Sequence, residues 1–193
     1  EISSCDWSSD VCSSDLGASM SDAVIAVRYL AADGAVRVAV GENLRFGYRH
    51  SVFREQPACV LSALLMLHHG HRSDIQAEMN HYTALRSGTQ PLEYPSAGSV
   101  FKRPVGHYTG KLITDCGLKG CRLGGAQVSV KHAGFIVNVG GALAADVIAL
   151  VRRIRETVQQ ETGVTLETEI RFIGDYTAAE LAVIGLEPER PQF

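Results

Sequence analysis

A chain of 193 residues allows one large or two small domains and can bury a substantial core. With 46% hydrophobic and 20% charged residues, and no apolar run near the roughly eighteen residues that a membrane span needs, it reads as a soluble globular protein. The formal charge of −3 is unevenly spread: residues 1–22 carry five carboxylates and no Lys or Arg, leaving 16 acidic against 18 basic side chains in the remainder, a balance that excludes a footprint for duplex nucleic acid but lets local Arg and Lys receive a small anion.

Residues 1–20 are rich in Ser and Asp and contain the near-repeat Trp7-Ser8-Ser9-Asp10 and Cys12-Ser13-Ser14-Asp15. They have neither the positive start nor the apolar centre of a secretory signal, and are expected to be a non-native or disordered leader. From Asp22 the texture changes. Ala23–Leu30 and Val36–Val40 are β-rich runs, and Asp33-Gly34 between them signals a hairpin. Phe46–Phe53 reads as a loop that sets Arg49 between an aromatic and a hydroxyl residue, and the apolar run Ala58–Leu67 reads as a strand ending at His68-His69-Gly70-His71. Those histidines lack a fourth ligand at suitable spacing, so they read as a polar turn and no metal site is expected. The five cysteines, odd in number and without a CxxC pair, read as free thiols of a reducing cytoplasm.

Residues 72–87 read as an amphipathic helix with Ile75, Met79, Tyr82 and Leu85 on one side. The stretch Thr89–Pro104 follows, in which three prolines bracket the small residues Ser96-Ala97-Gly98-Ser99, while Tyr94, Val100 and Phe101 serve as anchors. It is expected to be a rigid loop able to approach a ligand, with Ser99 as the leading candidate residue; taken alone, its spacing equally fits an ordinary turn. Thr109–Cys116 reads as a short helix stopped by Gly117, and Ala126–Val130 and Phe135–Val139 as short strands. Ala142 to about Thr162 is the clearest helix: Val147, Val151, Ile154 and Val158 share a face, and Gly163 ends it. Leu166–Ile173 reads as a strand with Glu167, Glu169 and Arg171 on one side.

Five ordered blocks carry a resemblance. They are Gly47-Tyr48-Arg49-His50-Ser51-Val52-Phe53, the stretch Gln90–Pro104, Gly117-Leu118-Lys119-Gly120 with Gly124–Ser129, Lys131-His132-Ala133-Gly134-Phe135-Ile136-Val137-Asn138, and Glu169-Ile170-Arg171. In this order they resemble the UDP-N-acetylenolpyruvoylglucosamine reductase (MurB) family. The resemblance implies an α+β chain in which residues 21–71 are the C-terminal part, or remnant, of an FAD-binding domain and residues 72–174 a substrate-binding reductase domain, with a tail over 175–193. It also implies a cytoplasmic oxidoreductase of peptidoglycan synthesis that uses FAD and NADPH to reduce a UDP-sugar enolpyruvyl ether, with no membrane or nucleic-acid partner.

Residue by residue, the resemblance makes Arg49 and Glu169 the groups that stabilise a developing enediolate, and Ser99 the proton donor. It puts Ser51, Arg86 and Arg171 near the cofactor and Tyr48, Lys102, Gln127 and Lys131 near the UDP-sugar. The chemistry explains these types: hydride addition to an unsaturated carboxylate builds anionic charge, which calls for a cation, a hydrogen-bond donor and a proton source. A carboxyl such as Glu169 helps only in its protonated form, which burial or a second carboxylate favours. Family members carry a Gly-rich loop that cradles the FAD pyrophosphate, and no comparable glycine cluster precedes Gly117 here. The chain is therefore expected to be an N-terminally truncated reductase; the alternative is a nucleotide-sugar-binding module without redox chemistry.

Overall fold

The structure, a computed structural model, describes residues 19–174. Apart from Ser19 and Met20, the expected leader lies outside these residues, as does the tail with Leu181, Val183, Ile184 and Leu186. The first compact unit ends at His71 and the second begins at Arg72.

In the first unit a single helical turn, α1 (Met20–Ala23), leads into β1 (Val24–Ala31), β2 (Val36–Val40) and β3 (Ala58–Leu65). All pairing is antiparallel, in the order β2-β1-β3. Asp33-Gly34 makes the expected hairpin: Gly34 takes φ +80°, and the Asp33 carboxylate accepts the Ala35 N–H at 3.1 Å. Alternation of side chains gives the sheet two unlike faces. Val24, Val27 and Ala39 bury against Leu44, with Tyr29, Phe46, Phe53 and Leu65 around them, and the rings of Tyr29 and Phe53 meet edge to face at 5.2 Å. The register puts Leu30, Val36, Val38, Val40 and Leu64 on the other face, where all five are exposed.

The second unit contains α2 (Arg72–Thr89), β4 (Ser96–Ser99), α3 (Thr109–Asp115), β5 (Arg122–Leu123), β6 (Ala126–Val128), β7 (Phe135–Asn138) and α4 (Ala144–Thr162). Its sheet runs β4-β7-β6-β5 and is antiparallel throughout. The amphipathic pattern of α4 does what its spacing predicts: Ile148, Leu150, Val151, Ile154 and Val158 are buried with Val100, Phe101, Ile113, Val128, Ile136 and Leu166. Its start is fixed by Asp146, whose carboxylate accepts the Leu143 N–H at 3.0 Å and the Gly125 N–H of the β5–β6 hairpin at 3.2 Å. Gly163, at φ +72°, ends it.

Three expectations differ from the structure. The predicted apolar side of α2 is not buried: Ile75, Tyr82 and Leu85 are exposed and only Met79 is half-buried, because a stripe one side chain wide satisfies helical periodicity without guaranteeing a layer to cover it. The expected loop around Ser99 is in part a strand, β4, whose irregular pairing with β7 surrounds Gly98 at φ +81°. Leu166–Ile173 does not form a regular strand; a single bridge joins Phe101 and Thr168, since pairing is confined to the three residues Val100–Lys102.

Candidate functional site

The candidate residues divide between the two units. In the first, Gly47 and His50 exchange both backbone hydrogen bonds at 3.0 Å, closing a two-residue turn with Tyr48 and Arg49 at its tip. Arg49 adopts φ +53°, a left-handed conformation that a side chain disfavours. Its guanidinium carbon stands 4.9 Å from the centre of the Tyr48 ring, within cation–π range, and its carbonyl accepts Arg54 Nη1 at 3.1 Å. Ser51 precedes the 3-10 turn Val52–Arg54, and its carbonyl accepts the Arg54 N–H at 3.0 Å.

In the second unit the backbone brings Ser99 and Glu169 onto neighbouring segments. Ser99 ends β4 opposite Phe135 of β7, and the next residue, Val100, donates to the Gly134 carbonyl at 2.9 Å. On its other side the Val100 carbonyl accepts the Glu169 N–H at 2.8 Å. Glu169 therefore lies across from the residue after Ser99. Both side chains are half-buried, an environment in which hydrogen bonds gain strength from partial exclusion of water.

Three of the side chains expected to meet a UDP-sugar, Lys102, Gln127 and Lys131, are engaged within the second unit. Lys102 pairs through Nζ with Glu167, and its N–H donates to the Glu167 carbonyl at 2.9 Å. Gln127 Nε2 donates to the Gly120 carbonyl at 3.1 Å, tying β6 to the turn after α3. Lys131 Nζ donates to the Ser87 carbonyl at 2.7 Å near the end of α2 and lies 3.8 Å from the Glu93 carboxylate. Arg86, one turn from that end, donates through Nε to Oε1 of the buried Gln90 at 3.0 Å. Arg86 and Lys131 thus converge on the carboxyl end of α2, while Arg171 is exposed beyond Glu169. Ser129, 2% exposed, shapes the Lys131 turn: its Oγ accepts the N–H groups of Lys131 and His132 at 3.1 and 3.2 Å.

Sequence reading passed over one pair. Arg103 stacks on the Tyr108 ring at 3.9 Å and donates through Nε to the His107 carbonyl at 3.3 Å, forming an exposed platform close in sequence to Phe101 and Lys102. The signal available was an Arg five residues before a Tyr, which spacing alone leaves unremarkable. Among the described residues no group of three or more His, Cys, Asp or Glu side chains could hold a metal ion, and no helix is long and apolar enough to cross a membrane.

Comparison with known proteins bears on this arrangement. Residues 90–173, which include Ser99, Gln127, Lys131 and Glu169, match the family described as UDP-N-acetylenolpyruvoylglucosamine reductase, C-terminal domain. The chain is 48% identical over 159 residues to the UDP-N-acetylenolpyruvoylglucosamine reductase of Enterococcus faecalis, covering 82% of this chain and 53% of that protein. It is 49% identical over 156 residues to the enzyme of the same name from Pediococcus pentosaceus, covering 81% and 52%. The crystal structure of UDP-N-acetylenolpyruvylglucosamine reductase (MurB) from Thermus caldophilus superimposes with a TM-score of 0.68 at 41% identity, over 80% of this chain and 54% of that one. The chain spans about half the length of the curated relatives it matches.

Proposed function

We propose, from the match of residues 90–173 to the C-terminal domain family of the UDP-N-acetylenolpyruvoylglucosamine reductases, that this chain supplies the substrate-binding and proton-donating part of a cytoplasmic reductase. The reaction is the reduction of UDP-N-acetylglucosamine enolpyruvate to UDP-N-acetylmuramate for peptidoglycan. Addition of a hydride to the β carbon of the enolpyruvyl ether spreads negative charge over the α carbon and the carboxylate. Catalysis then consists of holding that enediolate and protonating the α carbon. Ser99 gives up its hydroxyl proton to that carbon, Arg49 meets the carboxylate as a cation, and Glu169 acts as a carboxyl donor. A serine is a weak acid, so the donor role requires a strongly basic acceptor and neighbours that stabilise the alkoxide.

The bond from the Glu169 N–H to the Val100 carbonyl carries this reading, since it brings the proposed proton donor and carboxyl group onto adjacent backbone segments. Tyr48, Gln127 and Lys131 are proposed to line the UDP-sugar site. Lys102 joins them only by exchanging its pair with Glu167. Ser51, Arg86 and Arg171 are proposed to face the flavin. FAD, reduced by NADPH, enters the proposal from the family resemblance alone: among residues 19–71, Gly34, Gly41, Gly47 and Gly70 stand singly and offer no row of backbone amides for a pyrophosphate, so these residues do not fit the diphosphate half of the cofactor. We propose further that the first unit is the remnant of a flavin-binding domain acting as part of a longer protein. The exposed row Leu30, Val36, Val38, Val40 and Leu64 supports this, because a sheet face of that composition is ordinarily covered.

A second reading is a nucleotide-sugar-binding module without redox chemistry. Calorimetric titration of the chain with UDP-N-acetylglucosamine enolpyruvate and with FAD, followed by an anaerobic NADPH-oxidation assay, tests both. Binding of both ligands with stoichiometric NADPH consumption supports the reductase. Tight binding of the sugar nucleotide alone supports the module, and binding of neither overturns both.

A further inference from the structure

Two non-glycine residues among those described adopt left-handed backbone, Arg45 at φ 48° and Arg49 at φ 53°. In that region Cβ crowds the following carbonyl, and such strain persists only where the surroundings over-determine it. Both strained positions lead to one carboxylate. Glu55 pairs through Oε2 with the Arg45 guanidinium and takes His50 Nε2 on Oε1 at 2.8 Å. His50 is the residue whose N–H and carbonyl close the turn onto Gly47.

Glu55 is well placed for this work by local structure. It caps the 3-10 turn Val52–Arg54, donating its own N–H to the Val52 carbonyl at 3.1 Å. The same short turn presents Arg54, whose Nη1 donates to the Arg49 carbonyl at 3.1 Å. A rigid one-turn element thus grips the Arg49 turn at three places: the side chain of Arg45 on one flank, that of His50 on the other, and the carbonyl of Arg49 itself. Using both carboxylate oxygens on separate partners makes Glu55 a bridge rather than half of an isolated surface pair.

We propose that Glu55 is a positioning residue for Arg49, holding the Gly47–His50 turn closed and keeping Arg49 in its left-handed conformation. The clamp stands on local geometry; only the chemical meaning of holding Arg49 rests on the reductase reading above. Glu55→Gln preserves the shape of the side chain but removes the charge that Arg45 and His50 share.

The test is amide hydrogen exchange by NMR on the whole chain, comparing Glu55→Gln with the unsubstituted protein, joined to steady-state reductase kinetics of the two. The expected result is exchange roughly three- to tenfold faster at the His50 and Gly47 amides, the range that loss of one partly exposed ion pair and one charge-assisted hydrogen bond would give, with the amides of the hydrogen-bonded β1–β2 pair Tyr29 and Arg37 unchanged. In the kinetic assay kcat falls by a similar factor and KM stays within about twofold, since Arg49 acts on charge that appears only in the transition state. Unchanged exchange at His50, or equal acceleration at Tyr29 and Arg37, overturns the proposal. If the chain turns nothing over yet shows the local exchange effect, this chain alone is not the reductase and the positioning of Arg49 by Glu55 stands.

Discussion

Replacing Gly125 with Ala puts a methyl group where backbone already stands. A Cβ on this residue would lie 2.3 Å from the Ala142 nitrogen, 2.4 Å from the Gly140 carbonyl oxygen and 2.6 Å from the Ala142 Cα. Ordinary contact begins at 3.4 Å, and none of these atoms can move by a change of rotamer. The β5–β6 hairpin must therefore lift by about an ångström from the turn that starts α4, a small-to-large change of the kind that costs about 1–3 kcal/mol. The lift also stretches the 3.0 Å bond from the Val139 N–H to the Gly125 carbonyl, for about 1 kcal/mol more. The expected loss is about 2–4 kcal/mol, or roughly 1–2 M in the urea midpoint. Gly163→Ala is the control: nothing lies within 4 Å of a Cβ there, but φ is +72°, so backbone strain of about 1 kcal/mol is the whole effect. Urea unfolding followed by far-UV circular dichroism, which reads α4, measures both. A Gly125→Ala midpoint indistinguishable from the unsubstituted chain, or a smaller loss than Gly163→Ala shows, would refute the argument from close approach.

Asp146 gives a pH prediction. The N–H groups of Leu143 and Gly125 hold its carboxyl below the usual range, so the stability it lends is present above its unfolded pKa and lost as pH falls through the lower folded value. Unfolding midpoints measured from about pH 6 down to pH 2 should fall more steeply for the native chain than for Asp146→Asn, and parallel curves would exclude the effect. Under the proposed function, Ser99→Ala should lower turnover by roughly 10²- to 10⁴-fold while leaving sugar-nucleotide affinity nearly unchanged; full activity would remove Ser99 as proton donor. Burial, with Glu161 and Asp115 nearby, pushes the Cys116 thiol up, so iodoacetamide at pH 8 should modify exposed Cys59 roughly tenfold faster than Cys116, as peptide mass mapping over time would show.

Much of the secondary structure was legible because its causes are local. Asp33-Gly34 specifies a hairpin through the φ that glycine accepts and the turn bond that aspartate makes, and the structure has that hairpin. The face of α4 was readable because Val151, Ile154 and Val158 recur at helical spacing and Gly163 stops the helix where expected. The same periodicity misled in α2, since spacing cannot say whether a covering layer exists. Lys102 and Lys131 show a similar gap: a sequence displays their charge but not that Glu167 and the Ser87 carbonyl engage them.

By itself the sequence determined the order and type of the main elements and the five blocks that point to a reductase family, because propensity, turn chemistry and motif are properties of neighbouring residues. Tertiary structure alone decided that Glu169 lies across from Val100, that Asp146 ties the start of α4 to Gly125, and that Glu55 joins Arg45 to His50. Glu169 and Val100 are 69 positions apart in the chain, and Gly125 and Asp146 are 21 apart. Even Glu55, within ten residues of both its partners, meets them only because Arg45 and Arg49 turn the backbone through left-handed conformations. These contacts depend on how turns and sheet edges bring distant backbone together, and no local preference encodes that.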